Sequence, residues 1–503
     1  MTSEIMQTSA SFLVRTEAAA ILARLRTFLA AQGVEGFLVG GYVRDGLLGR
    51  SSHDIDLTVA GDAVTIGREV AGAFGASFVL LDEQHQIARV VLSQNGDRWH
   101  LDFAAMRGAI ESDLTQRDFT IDAIALKLGE IGAGWNQVAL IDPLDGVRDL
   151  EQSLIRAASN TAFIDDPARL LRAFRLSAQL AFSIDSETEA LIRRDREFIA
   201  DVSSERVRDE LGCILETDRA ADSIRHLDRL GLLDLIFPEM ALTKGVEQPK
   251  EHFWNVFEHS LEAVSAVERL LAALNHKGGL LDSLTFSGDL AERFSEEIVF
   301  GRTRKALIKL AALLHDVAKP QTKRFDEKGR MRFLGHAEQG AVITESILER
   351  LRFSSREKRM IAKMVEEHLR PGHLSNASEL PTRRAIYRYF RDTGDVGIDT
   401  LFLSLADHLA TRGPAFSIEA WQEHVEVTQY MLTEWFEKKA TISPPKLIDG
   451  KVLMDKFGLA PGPEIGRLLE AVREAQAAGE IETEKDALDF TKKELGRNNA
   501  AQK

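Results

Sequence analysis

Two hydrophobic periods divide the chain. From residue 12 to about 160, helix-like stretches with apolar residues three and four apart alternate with short runs of strand character. "GFLVGG" (36–41) is a brief apolar run closed by two glycines, and "DIDLTV" (54–59) alternates strictly. "ARVVLSQNGDRWHLDFAAM" (88–106) holds two strand-like runs on either side of Asn95-Gly96, a two-residue hairpin signal. From Asp165 onward the strands almost vanish. "DDPARLLRAFRLSAQLAF" (165–182) opens on an acidic cap with a proline in the first turn and continues at helical spacing. The pattern predicts an α+β fold: a head with a small mixed sheet over 12–160, then all-α regions over 161–245, 252–412 and 413–495. Breaks are expected in "ALTKGVEQPKEHF" (241–253) and in the Pro/Gly-containing segments 412–416 and 442–450. No repeat of solenoid type is present.

Composition narrows the class. With 503 residues the chain is too long for one core. Hydrophobic residues at 44% and charged residues at 28% are the proportions of a globular protein. The single cysteine, Cys213, excludes an intramolecular disulfide framework and a cysteine-based zinc site. No secretion signal and no run long enough to span a bilayer is seen, so the cytoplasm is the expected compartment and no membrane partner is expected. A net charge of -15 argues against binding nucleic acid through the whole surface but leaves room for a local basic groove.

The chemistry is densest between Gly40 and Val59. Residues two apart on a strand share a face, so Asp54 and Asp56 project together while Ile55, Leu57 and Val59 face the core. At a Cα separation of roughly 7 Å, both carboxylates reach one divalent ion. Magnesium suits such oxygen donors and bridges them to substrate phosphates. Gly40 and Gly41, placed at the end of the preceding strand, let a triphosphate approach the backbone, and Arg44 lies near enough to neutralise it. An isolated Asp-X-Asp is most often a solvated turn; the Gly-Gly and Arg-Asp context is what changes the reading. The dinucleotide fingerprint does not fit, because its third spaced glycine is missing.

"LVGGYVRDGLLGRSSHDIDLTV" (38–59), followed in order by "RDFTIDAIAL" (117–126), "DPLDGVRDL" (142–150) and "DDPARLLRAFRLSAQLAF" (165–182), resembles the class II tRNA nucleotidyltransferase and bacterial poly(A) polymerase family, whose heads are polymerase-β-like. The resemblance implies that Arg117 and Asp118 contact the phosphate and ribose of the incoming nucleotide. Gln116 and Asp122 stand where the family usually shows Arg and Asn. Asp102, on the strand after the hairpin turn, is expected to offer a third carboxylate. The family selects CTP and ATP with an Asp and an Arg, which correspond to Asp166 and Arg169. A carboxylate beside a guanidinium complements an exocyclic amine next to a ring-nitrogen acceptor, the edge that cytosine and adenine share. Asp165 replaces the family's leading Glu. Arg172, Arg175, Arg193, Arg194 and Arg196 extend a basic trend, and "SERVRDELGCIL" (204–215) is similar to the family's RNA-binding neck.

A second constellation lies further on. His259, His315-Asp316, His336, His368 and Asp407 fall in helical contexts in an order that resembles the HD metal-dependent phosphohydrolase domain. The resemblance implies a one-metal set of His259, His315, Asp316 and Asp407, with His336 and His368 available for phosphate or a second divalent metal. "LAPGPEIGRLLEAVREAQAAGEIETEKDAL" (459–488) is similar to the helical tail of long family members. The expected function is template-independent transfer of CMP and AMP from CTP and ATP to the tRNA 3′ end, with magnesium. The alternatives are a poly(A) polymerase, a CC-only or A-only enzyme, or an HD hydrolase carrying a non-catalytic RNA-binding head. Oligomeric state is not legible.

Overall fold

The computed structural model describes residues 9–10, 12–130, 138–274, 281, 284–375, 380–413, 417–438, 442 and 444–501. Of the expected break segments, 414–416 and 443 lie outside these residues. The chain forms two compact units, one of residues 1–202 with 230–232 and the other of 203–229 with 233–503. The first is built on an eight-stranded mixed sheet; the second is largely helical, as the loss of strand pattern after Asp165 predicts.

In chain order the strands of this sheet are β1 (Ser9–Ala10), β2 (Gly36–Leu38), β3 (Asp54–Val59), β4 (Ser77–Asp82), β5 (Ile87–Gln94), β6 (Asp97–Ala105), β7 (Ala125–Lys127) and β8 (Val138–Ile141), and the first three helices are α1 (Thr16–Ala31), α2 (Gly40–Leu47) and α3 (Ala63–Phe74). Their spatial order is β1-β8-β7-β2-β3-β6-β5-β4. The β3/β6 pair is parallel, and β5 and β6 form an antiparallel hairpin. Asn95 and Gly96 both take positive φ (55° and 91°), the geometry a two-residue hairpin turn demands of them. Ile55, Leu57 and Val59 are at most 1% exposed, while Asp54 and Asp56 point to the other face as the alternation requires. Across the buried face lies the helix α3 (Ala63–Phe74), whose start is fixed by Asp62 accepting from the N–H groups of Val64 and Thr65. Phe103, fully buried beneath it, contributes about 2–3 kcal/mol by area.

Two sequence expectations need correction. Gly40 and Gly41 do not end a strand: β2 stops at Leu38, and the two glycines open the helix α2 (Gly40–Leu47). Asp165 and Asp166 do not cap the long helix, which runs Arg169–Leu180 from Ala168 without a side-chain cap. Asp165 instead closes a separate turn, accepting from Thr161 Oγ1 at 2.9 Å, and Asp166 accepts from the Ala168 N–H at 3.2 Å. Proline at 167 drives the residue before it out of helical conformation, and Asp166 is extended (φ -148°, ψ 98°).

In the second unit, the helices Val256–Ala273, Arg304–Leu314, His336–Arg350, Ser355–Glu367 and Gly397–Thr411 carry or border the HD residues. Residues 447–495 contribute a small core of their own around Leu453, Leu468 and Val472. Tyr387, Arg384, Arg388 and Arg391 of the helix Arg383–Thr393 bind Glu470 and Glu474 of the helix Pro463–Ala477.

Candidate active site and HD centre

The head site begins with the register of its strands. Asp56 on β3 stands opposite Asp102 on β6, which stands opposite Arg89 on β5, so the three form one row across the exposed face. Arg89 grips Asp102 with both arms of its fork, Nε to Oδ1 and Nη2 to Oδ2, each at 2.7 Å. Asp54, one residue pair along, accepts from His100 Nδ1 at 2.7 Å and keeps 62% of its side chain exposed.

On the other flank of β3, the start of α2 closes on Asp56. The Tyr42 N–H donates to Asp56 Oδ2 at 3.3 Å, and the Val39 N–H donates to the Asp56 carbonyl at 3.0 Å. Gly40 has φ +64°, and a Cβ there would lie 3.1 Å from Arg117 Nη1 and 3.2 Å from Asp56 Oδ2. Glycine is needed twice over, for the left-handed backbone and for the close approach. Burial, with help from the Asp102 carboxylate, pushes Asp56 up to about 6 against the Tyr42 N–H and Arg117 that pull it down. A cation at the site relieves that cost.

Behind this edge lies a set of paired charges. Arg44 donates to Asp122 at 2.8 Å and to Asp45 at 2.9 Å; Arg172 donates to Asp118 at 3.0 Å. Asp122 thus meets an arginine: burial raises it, and Arg44 pulls it back. The "DPLDGVRDL" segment holds this layer from outside. Asp142 accepts from the Gly146 and Val147 N–H groups at 2.8 and 2.9 Å, and Asp149 accepts from Thr120 Oγ1 at 2.7 Å. A Cβ at Gly146 would lie 2.1 Å from the Thr120 carbonyl oxygen, so the motif works by contact with the segment between Asp118 and Asp122. Arg169 donates to the carbonyls of Gln116, Arg117 and Ala162. A cavity of about 620 Å³ opens among these groups and brings together Gly40, Gly41, Arg44, Asp54, Asp56, Asp102, Arg117, Asp118, Asp166, Arg169, Arg172 and Arg175.

The HD residues also converge, in a buried setting. His259 Nε2 lies 3.2 Å from His315 Nε2, 3.0 Å from Asp407 Oδ1 and 3.5 Å from Asp316 Oδ2. The ligand atoms of His259, His315 and Asp407, and those of His315, Asp316 and His368, fall within 4.8 Å of one another. His336 Nε2 approaches Asp316 Oδ1 at 3.4 Å. His315, His336 and His368 each place Nδ1 2.6 to 2.8 Å from the carbonyl three residues earlier, which turns Nε2 into the cluster. Burial opposes the charge on Asp316, yet His315 and Lys319 hold it well below the usual carboxylate range. Burial also pushes His368 down to about 3. Among the described residues neither Asp316 oxygen nor His336 Nε2 finds a well-aligned hydrogen bond, although Lys319 Nζ lies 2.6 Å from Asp316. Buried imidazole and carboxylate atoms left in this condition fit a divalent metal.

Comparison with known proteins agrees along the chain. Residues 36–156 match the poly A polymerase head domain, 181–243 the probable RNA and SrmB binding site of polymerase A, 256–412 the HD domain, and 414–491 a putative second domain of tRNA nucleotidyltransferase. An A-adding tRNA nucleotidyltransferase of Deinococcus radiodurans is 34% identical over 91% of this chain and 94% of its own. The chain belongs to the HD-containing family of class II tRNA nucleotidyltransferases and poly(A) polymerases. A CC-adding tRNA nucleotidyltransferase of Thermus thermophilus is also 34% identical, over 91% of this chain and 93% of its own. The fold is shared with a CCA-adding enzyme in its apo form (TM-score 0.63, 21% identity, 95% of this chain and 94% of that one). It is shared too with the Thermotoga maritima CCA-adding enzyme complexed with tRNA (TM-score 0.60, 22% identity, 96% of each chain).

As a nucleotidyltransferase of the CCA-adding class, the protein carries groups near its two centres that sequence reasoning passed over. His100 could not have been found, because its meeting with Asp54 depends on a parallel pairing of strands distant in sequence. Arg89 could have been: counting outward from a two-residue turn at Asn95-Gly96 sets it opposite Asp102. Lys319 stands one helical turn after Asp316 in "HDVAKP" and shares its face.

Proposed function

We propose that the head adds CMP and AMP, taken from CTP and ATP, to the 3′-hydroxyl of tRNA without a nucleic-acid template, in the cytoplasm. The observation that supports this most is the cavity in which two strand-borne acids face a glycine-opened helix start and a ring of arginines. Asp54 and Asp56 would hold magnesium, whose hard-oxygen preference they suit. When bound, the ion makes the 3′-hydroxyl a better nucleophile and takes up charge on the departing pyrophosphate. Gly40 and Gly41 leave room for the triphosphate, and Arg44 and Arg117 balance its charge. Asp118, with Arg172 and Arg175, orders the ribose and phosphate side, while Asp166 and Arg169 read the base edge. The 3′ oxygen bonds to the α-phosphorus as the bond to the bridging oxygen of pyrophosphate breaks, and the hydroxyl proton passes to solvent. Functionally the chain divides into head (12–160), RNA-binding neck (161–245), HD region (252–412) and tail (413–495).

The test is incorporation into tRNA lacking its 3′ end, with CTP alone, ATP alone or both, followed by sequencing of the product ends. A complete CCA end supports full addition; a CC-only, A-only or poly(A) product assigns the corresponding narrower activity. Unchanged incorporation by Asp54→Ala and Asp56→Ala would overturn the catalytic assignment. A second activity, hydrolysis of phosphate esters at His259, His315, Asp316 and Asp407 with His336 and His368 beside them, is supported by the buried, unsatisfied donor set. Loss of hydrolysis in His315→Ala with incorporation retained is its signature.

A further inference from the structure

Asp102 is in line with the two leading acids, but it is not free. Both of its oxygens are taken by the Arg89 fork, and Arg89 itself lines the cavity with 32% of its side chain exposed. Its Nη1 donates to no acceptor among the described residues. Arg89 is thus a pre-oriented cation with one face spent on Asp102 and hydrogens left over.

Strand order says what it faces. Gly40, Gly41, Arg44 and Arg117 all lie on the flank of β3 toward β2 and α2, whereas Asp102 and Arg89 lie on the opposite flank, on β6 and β5. In phosphoryl transfer the attacking and leaving oxygens stand roughly in line through the reacting phosphorus. A triphosphate bound on the β2 flank, with its pyrophosphate toward the arginines there, places the attacking hydroxyl and the strand that bears it on the β5 flank. We propose that Arg89, held by Asp102, contacts the last phosphodiester of the RNA acceptor strand and so sets the 3′-hydroxyl against the nucleotide. Asp102 is then a positioning residue for Arg89. The inference rests on the nucleotidyl-transfer reading of the head and adds a primer-side residue to it.

The shared chemistry is phosphate, and the test separates its two sources. Wild type and Arg89→Gln are given tRNA lacking its 3′ end, either native or with the last phosphodiester replaced by a neutral methylphosphonate, at saturating nucleotide. In parallel the KM for the nucleotide is measured at saturating tRNA. The expected result is that the methylphosphonate costs wild type about tenfold in kcat/KM and costs Arg89→Gln less than about twofold, with nucleotide KM within about twofold throughout. Equal losses in both enzymes overturn the proposal, as does a rise confined to nucleotide KM, which would give Arg89 to the triphosphate. Arg89→Lys keeps the charge without the fork and regains part of the methylphosphonate sensitivity; thermal melts of all three proteins exclude misfolding as the cause. If wild type incorporates nothing into either tRNA, the transferase reading fails, a result distinct from any of these.

Discussion

The two centres of this chain are built on opposite plans. The head assembles acids on adjacent strands at an open face, where Asp54 keeps 62% of its side chain in solvent and each carboxylate behind it is matched by an arginine. The HD centre gathers His259, His315, Asp316, His336 and His368 from separated helical segments, each at most 8% exposed. An open face can admit a triphosphate and a strand end; the buried HD cluster meets a cavity of about 320 Å³ through His368 and Asp407, whose side chain is 23% exposed. Arginines meet Asp102, Asp118 and Asp122, while Asp56 stays raised by burial and by the Asp102 carboxylate. In the HD cluster Lys319 meets Asp316, and His336 Nε2 has no hydrogen bond among the described residues.

This contrast can be broken most sharply at Asp56. Asp56→Asn should lower nucleotide incorporation about 10³-fold while leaving the metal content of the HD region unchanged, measured by single-turnover incorporation and elemental analysis. The reciprocal change, His315→Ala, should weaken retention of a divalent metal about 100-fold after dialysis and leave incorporation within about twofold. Simultaneous loss of incorporation and of metal retention in either variant would mean that the centres are not independent.

Gly40→Ala probes the closeness of the α2 start to its acid. A methyl there meets Arg117 and Asp56 on a backbone with φ +64°, so kcat should fall about 10- to 100-fold, with a smaller change in thermal stability. The smallest expected effect is at Asp62, which caps α3 on the far side of the sheet. Asp62→Ala should cost about 1 kcal/mol of stability, read as a modest shift in the head's melting transition, and leave kcat unchanged. A loss of turnover there would show that the sheet transmits strain to its exposed face.

Legibility in the sequence followed the same divide. The alternation of "DIDLTV" placed Asp54 and Asp56 on one face directly, because strand period is local information. The HD centre was readable only as an ordered set of residue types, since nothing in a helical period says which five segments meet. The cap of the helix at 169 was misread because Pro167 forces Asp166 to be extended, so the acid turns back on a short loop instead of capping. The strand assigned to Gly40 and Gly41 failed for a related reason: two glycines after an apolar run also suit a helix that must begin against a neighbouring side chain.

The bond from the Tyr42 amide to the Asp56 carboxylate makes the glycine elbow and the acid a single mechanical part. Lengthening that elbow by even one residue should therefore displace the acid with it. The hairpin tip at Asn95-Gly96, on the same sheet and exposed to solvent, should accept an inserted residue more readily.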